Sequence, residues 1–121
     1  MGKKKILVID DEPELVDMVR RRLEANNYNV IAAYNGKEGM EKLLSEKPDL
    51  ILLDIRMPKI DGYSFVREIR VNKELRDIPI IILSVMDKLK ELLKLEGVKD
   101  YIEKPFDAET LLQKVNKYLK D

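Results

Sequence analysis

Three runs of four apolar residues, Ile6-Leu7-Val8-Ile9, Leu50-Ile51-Leu52-Leu53 and Ile80-Ile81-Ile82-Leu83, each stop abruptly at a polar side chain. A strand with one wet face alternates apolar and polar residues. Unbroken runs this short call for cover on both faces, the arrangement of a parallel sheet between layers of helix. The intervening segments carry a helical period. Five strand and helix pairs can be counted, an α/β pattern.

The punctuation supports this division. Pro13 suits a first helical turn, followed by the stripe Leu15, Val16, Val19 and Leu23, and the helix ends near Asn26-Asn27. Strand two is Val30 to Ala33, and Asn35-Gly36 turns into a helix carrying Met40, Leu43 and Leu44. The segment Ile55 to Gly62 reads as a loop before a helix with Phe65, Val66 and Ile69. Pro79 suits the very start of strand four. Asp87 is placed to cap helix four, with Leu89, Leu92 and Leu93 as its stripe and Gly97 at its left-handed end. Strand five runs from Asp100 to Glu103. Asp107 caps a last helix whose inner face is Leu111, Leu112, Val115 and Leu119.

The strand ends gather chemistry. Asp10 and Asp11 follow the first run, Asp54 the second, Ser84 the third, and Lys104 comes just after Tyr101-Ile102. In open parallel sheets ligands bind beyond the carboxyl ends of the strands. Taken singly, each residue has an ordinary reading: Asp11 or Glu12 as a helix cap, Asp54 as a strand terminator, Ser84 and Lys104 as loop residues. Together at four strand ends they point to metal-assisted phosphoryl chemistry.

Composition narrows that chemistry. The chain has 121 residues, enough for one domain, with 23 basic and 23 acidic side chains and no Cys or His. Charge balance argues against nucleic acid or anionic membrane as a partner, and Lys3-Lys4-Lys5 reads as a solubilising lead-in. Without Cys or His there is no thiolate or histidine nucleophile, no disulfide and no zinc site of the usual kind. Oxygen ligands favour Mg²⁺. No apolar run reaches the length of a signal-peptide core or a membrane span, so a cytoplasmic location is expected.

Asp10-Asp11, Asp54 with Met57-Pro58 and Asp61-Gly62, Ser84, and Asp100-Tyr101-Ile102-Glu103-Lys104-Pro105-Phe106 resemble the receiver domain of two-component response regulators. The resemblance spans essentially all of residues 1–121 as one domain. It implies a flavodoxin-like, doubly wound fold: a five-stranded parallel sheet in the order 2-1-3-4-5, flanked by five helices. It implies Asp54 as phosphoacceptor, Mg²⁺ held by Asp10, Asp11, Asp54 and the Arg56 backbone carbonyl, Ser84 and Tyr101 as hydroxyl and aromatic switch residues, and Lys104 beside the phosphoryl group. Lys104-Pro105 matches the family's cis peptide. Such a chain is a signalling phosphoacceptor, not an enzyme in the usual sense. It acts only on its own phosphorylation state. Its donor is a phosphohistidine on a sensor histidine kinase or a histidine phosphotransfer protein. Its output is docking to a downstream protein, with a phosphorylation-dependent homodimer as a further option.

Two features depart from the family pattern. Val85 stands where a small residue usually follows the switch hydroxyl, and Gly97-Val98-Lys99 leads into strand five after a shortened stretch from Ser84 to Lys104. Val85 is the one support for a rival reading, a pseudo-receiver that docks without phosphate. A second rival, an aspartyl phosphatase, lacks a carboxylate two positions beyond Asp54, where Arg56 stands. A flavin binder would want backbone donors and hydroxyls, not acids, after strand one. At the surface, Met18 lies outside the helix-one stripe and reads as a lone exposed methionine or a contact for a docking kinase helix. Leu95 reads as a cap on the core in preference to an interface residue.

Overall fold

The computed structural model describes residues 2–56, 62–83 and 87–119, and for residues 87–89 the backbone alone. Strands β1 (Lys5–Ile9), β2 (Asn29–Ala33), β3 (Leu50–Asp54), β4 (Ile80–Leu83) and β5 (Asp100–Ile102) alternate with helices α1 (Pro13–Glu24), α2 (Gly36–Glu46), α3 (Gly62–Val71), α4 (Asp87–Leu95) and α5 (Ala108–Leu119). The strands form one parallel sheet in the order β2-β1-β3-β4-β5. In register, Ile9 stands opposite Leu53, and Asp54 opposite Leu83. The carboxyl ends of the central strands are therefore level.

The apolar runs divide their side chains between two cores, as the two-residue period of a strand demands. Ile6, Val8, Leu50, Leu52, Ile81 and Leu83 face α1 and α5. Leu7, Ile9, Ile51, Leu53, Ile80 and Ile82 face α2, α3 and α4 through Leu43, Phe65, Val66, Ile69 and Leu93. Every residue of β3 is buried, Asp54 included. Burying each such aliphatic side chain contributes about 1.5–3 kcal/mol before chain entropy is set against it. No helix among the described residues is long and apolar enough to cross a membrane.

The expected punctuation is present. Pro13 opens α1, and the Asn35 side chain accepts a hydrogen bond from the Glu38 N–H at 2.8 Å. Asp107 accepts one from the Thr110 N–H at 2.7 Å, capping α5. Gly97 ends the α4 segment at φ +78°, a conformation that favours glycine. The capping role expected for Asp87 falls outside the described side chains.

Three surface expectations are corrected. Met18 is half-buried and packs on the α1/α5 core, because α5 lies alongside α1 and widens its covered face. Leu95 is 81% exposed and so does not cap the core. Leu92, expected on the stripe of helix four, is exposed as well. Helix α4 contributes Leu93 to the core, and the narrow contact leaves its neighbours in water.

Gly62 opens α3 against the residue that follows Asp54. A Cβ at this position would lie 2.4 Å from Ile55 Cβ, closer than atoms can approach. Gly62→Ala is therefore expected to destabilise the fold by about 1–3 kcal/mol, as overpacking does. Urea denaturation of the two proteins measures this, and unchanged stability would show that α3 shifts freely.

Candidate functional site

Strand β1 ends by delivering Asp10 into the interior. Its N–H donates to the Ala33 carbonyl at 3.1 Å, continuing the ladder to β2, and its side chain is fully buried. Asp10 Oδ1 accepts the Glu12 N–H at 3.0 Å, which turns the chain toward α1. Asp11 and Glu12 are exposed. Across the β1/β3 junction, Asp54 is 3% exposed, and its Oδ1 accepts the Arg56 N–H at 2.8 Å. Both buried carboxylates thus spend one oxygen on the backbone two residues on.

Lys104 comes from the other side of the sheet's carboxyl end, just past β5, at a cis Lys104-Pro105 bond. Its Nζ lies 2.8 Å from Asp10 Oδ2, 2.7 Å from Glu12 Oε1 and 3.0 Å from Asp54 Oδ2. The Glu12 and Asp54 contacts are hydrogen bonds. The one to Asp10 is an ion pair without hydrogen-bond geometry, so Asp10 Oδ2 is a buried acceptor with no donor. Asp11, Glu12, Leu15, Asp54, Arg56, Lys104 and Pro105 line an open cleft of about 480 Å³ above these groups.

The electrostatics follow from burial. Asp10 is held above its ordinary pKa chiefly by desolvation, with the Lys104 ammonium and the Glu12 N–H pulling it back and the nearby Asp54 charge adding to the rise. For Lys104, burial works downward, but the pairing of its ammonium with Asp10, Glu12 and Asp54 outweighs it and raises the pKa. The ammonium therefore stays charged at any working pH.

One ammonium does not balance four carboxylates. Asp10, Asp11, Glu12 and Asp54 each place an oxygen within 4.8 Å of the others. All the side-chain donors in this set are oxygens, one of them buried and without a hydrogen bond. That fits a hard divalent cation. The acidic group could hold such a metal.

The residues expected at the strand ends are mostly brought together: Asp10, Asp11, Asp54, Arg56 and Lys104 share one site. Ser84 and Val85 lie outside the described residues, as do Met57, Pro58 and Asp61. Tyr101 stands apart from the cleft, half-buried against the α3/α4 core, its hydroxyl donating to the Lys90 carbonyl at 3.0 Å. Glu12 was read only as a cap. It occupies the N-cap position of α1, yet its side chain makes no capping bond and goes to Lys104 instead. The only signal for this in the sequence was a third acid next to Asp10-Asp11.

The sequence matches the family described as response regulator receiver domain over residues 6–116. Protein PilH of Pseudomonas aeruginosa is 36% identical over 117 residues, covering 95% of this chain and 97% of that protein. The alkaline phosphatase synthesis transcriptional regulatory protein PhoP of Bacillus subtilis is 40% identical across 97% of this chain, which spans 49% of that regulator. The chain thus covers about half the length of several curated relatives. Chemotaxis protein CheY4 of Vibrio cholerae superposes with a TM-score of 0.90 at 30% identity, covering 98% of this chain and 100% of that one.

Because burial holds the folded pKa of Asp10 above its ordinary 3.8, its charge costs folding free energy at neutral pH. That cost is relieved as the pH falls through the raised value. Asp10→Asn is expected to raise the thermal midpoint at neutral pH in metal-free buffer by a few degrees, with the gap narrowing on acidification. Added Mg²⁺ is expected to stabilise the wild type more than the variant. A lower midpoint for the variant would show that pairing with Lys104 outweighs burial.

Proposed function

The chain belongs to the family of response regulator receiver domains, and from that premise we propose that Asp54 accepts a phosphoryl group from a phosphohistidine. The family is one of signalling phosphoacceptors, and the carrying observation is the Lys104 ammonium on Asp54 Oδ2 beside a cluster of acids at the β1/β3 junction. An Asp54 oxygen attacks phosphorus in line. The new O–P bond replaces the P–N bond of the donor, and the imidazole leaves as the nitrogen base. The product is an acyl phosphate.

Each residue has a task in this reading. Asp10, Asp11 and Asp54, with the Arg56 backbone carbonyl, would hold Mg²⁺. Bound there, the metal would offset the charge of the carboxylates and of the incoming phosphoryl group. Lys104 neutralises a phosphoryl oxygen as a point charge. The hydrogen bond from the Arg56 N–H fixes the orientation of the Asp54 carboxylate. Ser84 donates to another phosphoryl oxygen, and Tyr101 answers its movement by releasing or keeping the Lys90 carbonyl. Slow hydrolysis of the acyl phosphate in the same site resets the protein.

The whole of residues 1–121 acts as one receiver, working in the cytoplasm. Its partners are a sensor histidine kinase or histidine phosphotransfer protein upstream and a protein target downstream. Leu92 and Leu95, exposed on α4, supply apolar contacts for that target or for a second copy. The pseudo-receiver alternative rested on Val85, and nothing among the described residues, which do not include Val85, favours it.

Intact-protein mass spectrometry after incubation with acetyl phosphate and Mg²⁺ tests the reading. One Mg²⁺-dependent phosphoryl adduct is expected on the wild type and none on Asp54→Asn, whose fold is retained. Stoichiometric labelling of the variant would remove Asp54 from this role.

A further inference from the structure

A lysine ammonium carries three hydrogens and no lone pair. Those of Lys104 face three carboxylates, Asp10, Glu12 and Asp54, all within 3.0 Å. Two of these contacts are hydrogen bonds and the third, to Asp10, is an ion pair, so carboxylate oxygens enclose the ammonium on three sides. For Lys104 to meet a phosphoryl oxygen on Asp54, as the proposed function requires, one of the three contacts must give way.

Burial decides which one. The Asp10 side chain is 0% exposed and its other oxygen is tied to the Glu12 N–H. Freeing it from Lys104 would leave a desolvated charge without a counterion, the costly case among ion pairs. Asp54 carries the incoming group and cannot withdraw. The Glu12 side chain is 58% exposed, so its carboxylate passes from the ammonium to water at little cost. It makes no capping bond on α1.

We propose that Glu12 is a positioning residue whose carboxylate occupies the Lys104 ammonium as a placeholder, which a phosphoryl oxygen on Asp54 displaces. In the resting state this contact keeps Lys104 extended across the mouth of the site, ready for the phosphoryl group. The same contact competes with that group for the ammonium. Glu12 therefore tunes how readily the receiver is loaded without touching the reacting atoms. Of the three partners of Lys104, it is the one whose replacement alters the competition while both buried carboxylates remain.

The test uses beryllofluoride as the phosphoryl mimic, titrated by calorimetry at saturating Mg²⁺ into the wild type, Glu12→Gln and Glu12→Ala. Loss of an exposed competitor is expected to tighten binding roughly two- to fivefold in both variants. In the wild type, the side-chain ¹³C carboxyl resonance of Glu12, assigned by its absence from the variant, is expected to move on saturation to the position of a solvated glutamate. A structural role alone would not move that signal. Equal or weaker binding by the variants, or a carboxyl resonance that stays in place, overturns the inference while leaving the phosphoacceptor reading intact. Weaker Mg²⁺ binding by Glu12→Gln also overturns it, by making Glu12 a metal ligand. A wild type that takes up no beryllofluoride would sink the phosphoacceptor reading and this inference with it.

Discussion

Two buried carboxylates facing one ammonium set the terms for the rest of the molecule. Asp10 and Asp54 sit at the ends of two adjacent inner strands, β1 and β3, inside the protein, where an isolated charge is expensive. Each is made tolerable by a backbone N–H two residues on and by Lys104. These bonds also decide the local chain path, since the N–H that satisfies Asp10 belongs to Glu12, the residue before α1. Site and fold are therefore not separable at this edge. The bends that carry the chain from β1 to α1 and out of β3 are the ones that solvate the acids.

The parallel sheet explains why one lysine can serve residues 50 and 94 positions away. Every crossover returns the chain to the same edge, so strands far apart in sequence end on one level. Strand β4 separates β3 from β5, and the Lys104 side chain spans that gap to reach Asp54 and Asp10. A compact point charge on a long flexible stem suits this reach. The stem lies mostly buried beneath the cleft, with 17% of the side chain exposed.

Much of this was legible from the residues. Runs of four aliphatics that stop at Asp10, Asp54 and Ser84 announce strands covered on both faces, and for Asp10 and Asp54 the structure places the acids where the runs stop. The strand order was legible only through family resemblance, because periodicity says nothing about which strand lies beside which. Helix faces were read less well. A stripe assigns Leu92 inward by spacing, yet how much of a helix is covered depends on its neighbours. Helix α1 packs on α5 and hides half of Met18, whereas α4 meets the core through Leu93 and leaves Leu95 in water. The role of Glu12 was illegible for a related reason. Its pairing with a residue 92 positions on depends on how a turn aims a side chain, and neighbouring sequence suggested a cap.

The tethers of α4 differ in strength along its length, and the difference follows the chemistry of the groups. At its carboxyl end the Glu96 carboxylate accepts from Tyr63 and Arg67, both at 3.2 Å, while Arg70 donates to the Glu96 carbonyl at 2.6 Å and to the Gly97 carbonyl at 3.3 Å. Three of these bonds involve an arginine, and hydrogen bonds to charged groups contribute about 1.5–3 kcal/mol where buried and less where solvent reaches them. The Tyr101 tether to the Lys90 carbonyl joins two neutral groups. A single neutral bond contributes only about 0.5–1.5 kcal/mol, and Tyr101 stands three residues before Lys104. Among the described residues, the carboxyl end of α4 is therefore held to α3 by several charge-assisted hydrogen bonds, while the Lys90 carbonyl accepts a neutral one from Tyr101.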